Sequence, residues 1–307
     1  SAGRQLEQRV SDCLVRVSSA VGDRKDSMRA PLVGVPHVTG SGAVYAGLAA
    51  VVEAALYYCE HPTLHTGCAA ASYATNFETL AALYASAISD ECERARFDCF
   101  DLIGGSWGGY MAHQIAVASQ ARPVRAWRLV LLDPVPPVAG LPPDVSPTPW
   151  RLTISALLIT KIAAARSGDG SSMSKIRDAI LAEVQDWPDH EVIARATQRL
   201  AEEGLVADAL SSAIHLVRQA EVHNQADLFF RTHLAERYAS SVSPALLVCP
   251  ILLVLASGRA EELVSALGTG LGATPDSASP KAAEQYGNVV RQLVLTGEHL
   301  ATVQQCG

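Results

Sequence analysis

Apolar residues recur along the chain in two rhythms. Leu6, Val10, Leu14 and Val17, spaced by three and four, predict an amphipathic helix over residues 4–20. Beyond the charged linker from Gly22 to Arg29, the apolar run Pro31-Leu-Val-Gly-Val35 predicts a buried strand. It ends in a turn of small residues, Pro36 to Gly42, and a helical run from Val44 to Tyr57 follows. A further helix is expected near Thr75 to Ala95. Phe100-Asp-Leu-Ile103 predicts a core strand running into Gly104-Gly-Ser-Trp-Gly-Gly109, with a helix after it to about Gln120. Trp127 to Asp133 is another strand, and its continuous apolar run suits a parallel sheet covered on both faces. Strands alternating with helices in this way predict a mostly parallel, doubly wound α/β sheet.

Between 138 and 244 the alternation stops. Pro142, Pro143, Pro147 and Pro149 make an extended entry, after which helical stripes dominate: Ile176, Ile180 and Val184; Val192, Ala196 and Leu200; Leu210, Ile214 and Val217. The strand pattern resumes at Pro250 to Ala256 and at Val289 to Leu295, while residues 268–282, rich in Gly, Ser, Pro and Ala, read as a surface loop. The expected organisation is an N-terminal helix and linker (1–30), a first part of the α/β body (31–137), a helical insertion (138–244) and a second part of the body (245–307).

Composition narrows the class. Of 307 residues 49% are hydrophobic and 18% charged, which excludes a disordered chain and supports a large core. With 24 basic against 31 acidic side chains the net charge is −7, and no basic stripe marks a nucleic-acid binder. The longest apolar run, Ala245 to Ala256, contains Pro250 and falls short of the roughly 20 residues of a membrane-spanning helix. Seven scattered cysteines without a Cys-x-x-Cys pair fit neither a disulfide framework nor a zinc site, so a cytoplasmic or other reducing intracellular setting is expected. The first thirty residues lack the apolar stretch of a signal peptide. The absence of a starting Met suggests a domain of a longer polypeptide.

The chemistry centres on Gly104-Gly105-Ser106-Trp107-Gly108, a Gly-x-Ser-x-Gly sequence between a predicted strand and a predicted helix. A sharp strand-to-helix turn lifts the serine hydroxyl clear of the sheet, and the glycines let neighbouring segments approach without Cβ clashes. A serine needs a base, and His299, just past the last predicted strand, is the candidate. Asp133, at the end of the strand after the nucleophile helix, is the preferred acid; Glu261 and Glu262 are the alternatives. An oxyanion hole needs two amides: Trp107 supplies one, and Val38, with Thr39 as alternative, the other. His37 lies beside this turn, too early in the chain for the base of a catalytic triad. His113, His215, His223 and His233 read as surface or helix-packing residues, and no spacing suggests a metal site.

Four stretches, Val35 to Tyr45, Phe100 to Tyr110, Leu129 to Pro137 and Gly297 to Gln304, carry a resemblance. The chain resembles the thioesterase domains that release products from polyketide synthases and nonribosomal peptide synthetases, members of the α/β-hydrolase superfamily. The resemblance implies Asp133 as the acid and a helical lid in the insertion. It implies no cofactor bound by this domain, and an acyl substrate carried on the phosphopantetheine of an acyl carrier protein in the same polypeptide. It also implies a serine acyl-enzyme resolved by hydrolysis or cyclisation. A homodimer is left open. Arg122, Arg125 and Arg128 could face an acidic carrier, although a solvated loop is the simpler reading. The alternatives are a stand-alone serine hydrolase of the esterase or proline-iminopeptidase kind and a non-catalytic binding scaffold.

Overall fold

The computed structural model describes residues 7–17, 29–64, 75–134, 150–165, 173–205, 209–240, 247–256 and 287–295. Its centre is one sheet of eight strands: β1 (Glu7–Ser11), β2 (Leu14–Val17), β3 (Leu32–Val35), β4 (Leu56–Cys59), β5 (Cys99–Gly105), β6 (Arg125–Leu132), β7 (Leu247–Ala256) and β8 (Gly287–Leu295). The order is β1-β2-β4-β3-β5-β6-β7-β8. From β4 to β8 all neighbours pair in parallel; only β1–β2 and β2–β4 are antiparallel. The sheet is therefore mostly parallel, as the apolar runs predict.

Helix α1 (Phe77–Ala95) joins β4 to β5, and α2 (Trp107–Ser119) joins β5 to β6. α1 starts where Asn76 Oδ1 accepts the Thr79 amide at 2.8 Å and Thr79 Oγ1 accepts the Asn76 amide at 3.0 Å, a reciprocal cap. It stops at Arg96, which takes a left-handed conformation (φ 64). Its buried stripe of Phe77, Leu80, Ala81, Tyr84, Ala85, Ile88 and Cys92 follows the three–four spacing. α2 is apolar nearly all round, as a helix between sheet and neighbouring helices must be.

Two predicted helices give way, wholly or in part, to strands. Residues 4–20 hold the β1–β2 hairpin, in which Leu14, Val15 and Val17 are buried. Two of the four residues that look like a helical stripe are valines, and β2 gains a full ladder by pairing with β4, with Leu14 opposite Cys59 and Val17 opposite Leu56. Tertiary pairing overrides a short periodic signal. The run from 44 to 57 also divides: Ala43–Ala50 forms a 3-10 helix, and Leu56-Tyr57-Tyr58-Cys59, buried throughout, is β4. Four consecutive large residues suit a strand covered on both faces.

The chain groups into two compact units, one of residues 1–145 with 229–307 and one of residues 146–228. In the second, α3 (Trp150–Ala165) packs on α4 (Met173–Gln185) and α5 (Val192–Glu202). Ile154, Leu158 and Ile162 are buried on α3, Ile180 and Val184 on α4, and Val192, Ala196 and Leu200 on α5. Arg151 closes this unit, donating from Nε to Asp189 at 2.6 Å and from its guanidinium to the Gln185 carbonyl at 2.8 Å. α6 (Ala209–Ser240) buries a different face from the predicted one: Ile214 is 49% exposed, and Leu216, Ala220, Ala226, Phe230 and Leu234 are inside. The residues 257–286 and 296–307, with the predicted loop at 268–282, lie outside the described residues.

Because Leu14 is buried at the β2–β4 seam, Leu14→Ala should lower unfolding stability by about 2–5 kcal/mol in urea titrations. A loss below about 0.5 kcal/mol would contradict the hairpin's place in the sheet.

Candidate active site

Strand β5 is buried over all but its first residue and delivers the chain to Ser106. Ser106 takes φ 52 and ψ −124, a conformation that costs a non-glycine residue on the order of 1–3 kcal/mol. Two sets of hydrogen bonds hold it there. Its amide donates to the Leu132 carbonyl at 2.9 Å, and its carbonyl accepts the Gly109 and Tyr110 amides at 3.0 and 3.4 Å, opening α2. The serine is partly exposed, with the positive end of α2 beneath it.

The turn needs its glycines for closeness. A Cβ on Gly104 would fall 2.3 Å from the Gly108 carbonyl oxygen, and one on Gly108 would fall 2.4 Å from the Pro36 oxygen. The second contact brings the segment after β3 against the first turn of α2, which sets Val38 and Thr39 on the loop bordering the serine. That loop is closed by the Gly40 amide donating to the His37 carbonyl at 2.8 Å, and tethered by the His61 amide donating to the Gly40 carbonyl at 2.6 Å. His61 is buried, accepts the Thr63 amide on Nδ1 at 3.3 Å, and burial lowers its pKa to about 4. It is neutral at physiological pH and acts as a fixed part of the loop.

Asp133 follows β6 in a left-handed conformation (φ 43) and is fully buried. Gly105 lies opposite Leu132 in the ladder, so Ser106 and Asp133 leave adjacent strands at the same sheet edge. The Asp133 amide donates to the Val254 carbonyl of β7 at 2.5 Å, fixing the residue between two strand ends. β8 reaches this edge too, with Leu295 opposite Ala256. His299, Glu261 and Glu262 lie outside the described residues. The structure thus brings Ser106, Trp107, Asp133 and the Val38 loop together.

Behind the elbow stands a group that spacing did not reveal. Tyr110, one turn along α2, lies 3.0 Å from His233 Nε2, and His233 Nδ1 meets Glu78 Oε1. A carboxylate only accepts, so Nδ1 carries the proton and, in the neutral ring, Nε2 accepts from the Tyr110 hydroxyl. Phe77 packs at the centre, with Trp107 edge-on at 5.6 Å, Tyr110 at 5.5 Å, Phe230 at 5.6 Å and His233 stacked at 5.0 Å. Residue 233 is thus a helix-packing histidine, and one that orders three helices around the Ser106 turn.

The arginine cluster stands elsewhere. Arg125 opens β6, and Arg128 lies opposite Asp101, whose carboxylate accepts its Nε at 3.0 and 3.1 Å. Arg125 lies at the end of β6 remote from Ser106, opposite Cys99, whereas Arg128 stands midway along the strand. Among the described residues no group of three His, Cys, Asp or Glu side chains could hold a metal, and no helix is long and apolar enough to cross a membrane.

A mostly parallel sheet with a strained serine between strand and helix, and an aspartate at the end of the next strand, defines an α/β hydrolase. The chain belongs to the thioesterase-domain family, whose sequence model matches residues 30–238. No curated protein matches it by sequence. Among solved structures, holo-AB3403, a four-domain nonribosomal peptide synthetase bound to AMP and glycine, aligns with a TM-score of 0.55 at 17% identity. That alignment covers 95% of this chain and 20% of the synthetase. The wild-type Vlm2 thioesterase domain aligns with a TM-score of 0.53 at 20% identity, over 90% of this chain and 92% of that one. At these identities the likeness is one of fold.

Since the atoms facing Gly108 are backbone, Gly108→Ala must displace either the Val38 loop or α2. The expected result is a roughly 100-fold slower reaction with a fluorophosphonate, at retained secondary structure by circular dichroism. An unchanged rate would show that the contact has no bearing on the site.

Proposed function

We propose that this chain is a serine thioesterase that releases an acyl chain from the phosphopantetheine arm of an acyl carrier protein. The observation that carries the reading is the strained Ser106 held beside Asp133 by the bond from its amide to the Leu132 carbonyl.

In this reading Ser106 Oγ attacks the thioester carbonyl carbon as His299 takes its proton. The oxygen of the tetrahedral intermediate is held by the amides of Trp107 and Val38. As the carbon–sulfur bond breaks, the imidazolium returns the proton to the departing thiol. Water, or a hydroxyl or amine of the acyl chain itself, then gives a proton to the imidazole and attacks the ester. As the second intermediate collapses and the carbon–Oγ bond breaks, the imidazolium returns its proton to Ser106 Oγ, freeing an acid or a ring. Asp133 holds the imidazole tautomer and stabilises its charged form. A carrier in the same polypeptide would keep the thioester at high local concentration, so a weak docking surface suffices. No cofactor takes part.

The test is turnover of acyl-pantetheine thioesters together with fluorophosphonate labelling read by intact mass. Ser106→Ala should abolish labelling and lower kcat by about 10⁶-fold, and Asp133→Asn should lower it by about 10⁴-fold. Glu261→Gln should leave it within twofold. Vigorous cleavage of aminoacyl arylamides with inert thioesters would replace this reading by a peptidase.

A further inference from the structure

We propose that Tyr45 is a positioning residue for the oxyanion hole, its phenol oxygen accepting from the Gly105 amide at the last rung of the β3–β5 ladder and tying the nucleophile turn to the Val38 loop. The inference rests on the reading of Ser106 as nucleophile.

The need arises from register. Successive amides of a strand point to opposite neighbours. The Asp101 amide donates to the Pro31 carbonyl on the β3 side, and the Ser106 amide donates to Leu132 on the β6 side. Gly105, an even number of residues from Asp101, therefore directs its amide toward β3. β3 ends with Val35 opposite Gly104, so the ladder offers this amide the Val35 carbonyl, and the next residue, Pro36, has no amide with which to carry the ladder on. This last rung has none beyond it to hold it in place. Here the Gly105 amide donates to the Tyr45 hydroxyl at 2.9 Å.

Tyr45 is fully buried and held on every side. Its ring lies against Gly34 so closely that a Cβ there would meet ring atoms at 2.4 and 2.7 Å. It packs with Ile103, Leu132 and Val254 across three strands. His37, the residue before Val38, stacks on it with centroids 5.9 Å apart and planes 17° from parallel. Burial raises the phenol far above its usual range, so it remains a neutral acceptor. One side chain thus touches both halves of the hole: by hydrogen bond the strand end two residues before Trp107, and by stacking the loop that bears Val38. A donor displaced by a fraction of an ångström from the developing oxyanion loses much of its effect, so this brace acts on the transition state more than on substrate binding.

Tyr45→Phe keeps the ring and removes only the acceptor. Acylation and deacylation both use the hole, so both rate constants should fall by the same factor, about ten- to a hundredfold, with an acyl-pantetheine thioester. KM and the thermal midpoint should change little. A kcat within twofold of the parent, or a loss confined to KM, overturns the proposal. Gly34→Ala, which presses on the same ring, should reproduce the kinetic signature. In the unmodified protein the Gly105 amide should exchange with deuterium as slowly as its β5 neighbours; free exchange would also overturn the proposal. Failure of the unmodified protein to take a fluorophosphonate at Ser106 would instead remove the functional reading, and this inference with it.

Discussion

The hydrogen bond from the Ser106 amide to the Leu132 carbonyl is the constraint on which the site depends. It holds the serine in a backbone conformation that the residue would not choose. It also sets the register of β5 against β6 at their last residues, and so sets Ser106 beside Asp133. Were the strands to slip by one residue, every buried side chain of β5 would change faces and the turn would open away from the aspartate. The local strain is therefore stored against the cooperative pairing of the whole parallel sheet.

Packing around that bond works in two layers. On the strand side, Gly104 and Gly108 permit carbonyls to lie where a methyl group would otherwise stand, which brings the Pro36 segment against the head of α2. On the helix side, Phe77 gathers Trp107, Tyr110, Phe230 and His233, and Glu78 completes the polar end of the cluster. The first layer needs the smallest residue and the second the largest ones. In the proposed reading both serve one purpose, since an oxyanion hole works only if its donors are fixed before charge develops.

The division between two compact units has a plain physical basis. The body is built on non-local parallel pairing, whereas the helical unit is held by stripes on α3, α4 and α5 and by Arg151 joining the α4 terminus to the following turn. Family membership rests on a match that covers both. Arg125 sits at the end of β6 remote from Ser106, and Asp101 already occupies Arg128.

How much of this was legible in the sequence follows from the range of each interaction. Long apolar runs determined the core strands β5, β6, β7 and β8, and the Gly-x-Ser-x-Gly spacing determined the elbow, because both are encoded within a few consecutive residues. The place of Asp133 at a strand end was readable for the same reason. The hairpin at 7–17 and the strand at 56–59 were not, because their short patterns fit helix and strand alike and only the partner strand decides. The buried face of α6 was likewise misplaced, since neighbouring helices choose among near-equal stripes. Tyr45 and the Glu78–His233–Tyr110 relay carry no local signature at all. Residues 60 to 155 positions apart meet there only because the sheet has closed, and that is a decision of the tertiary structure alone.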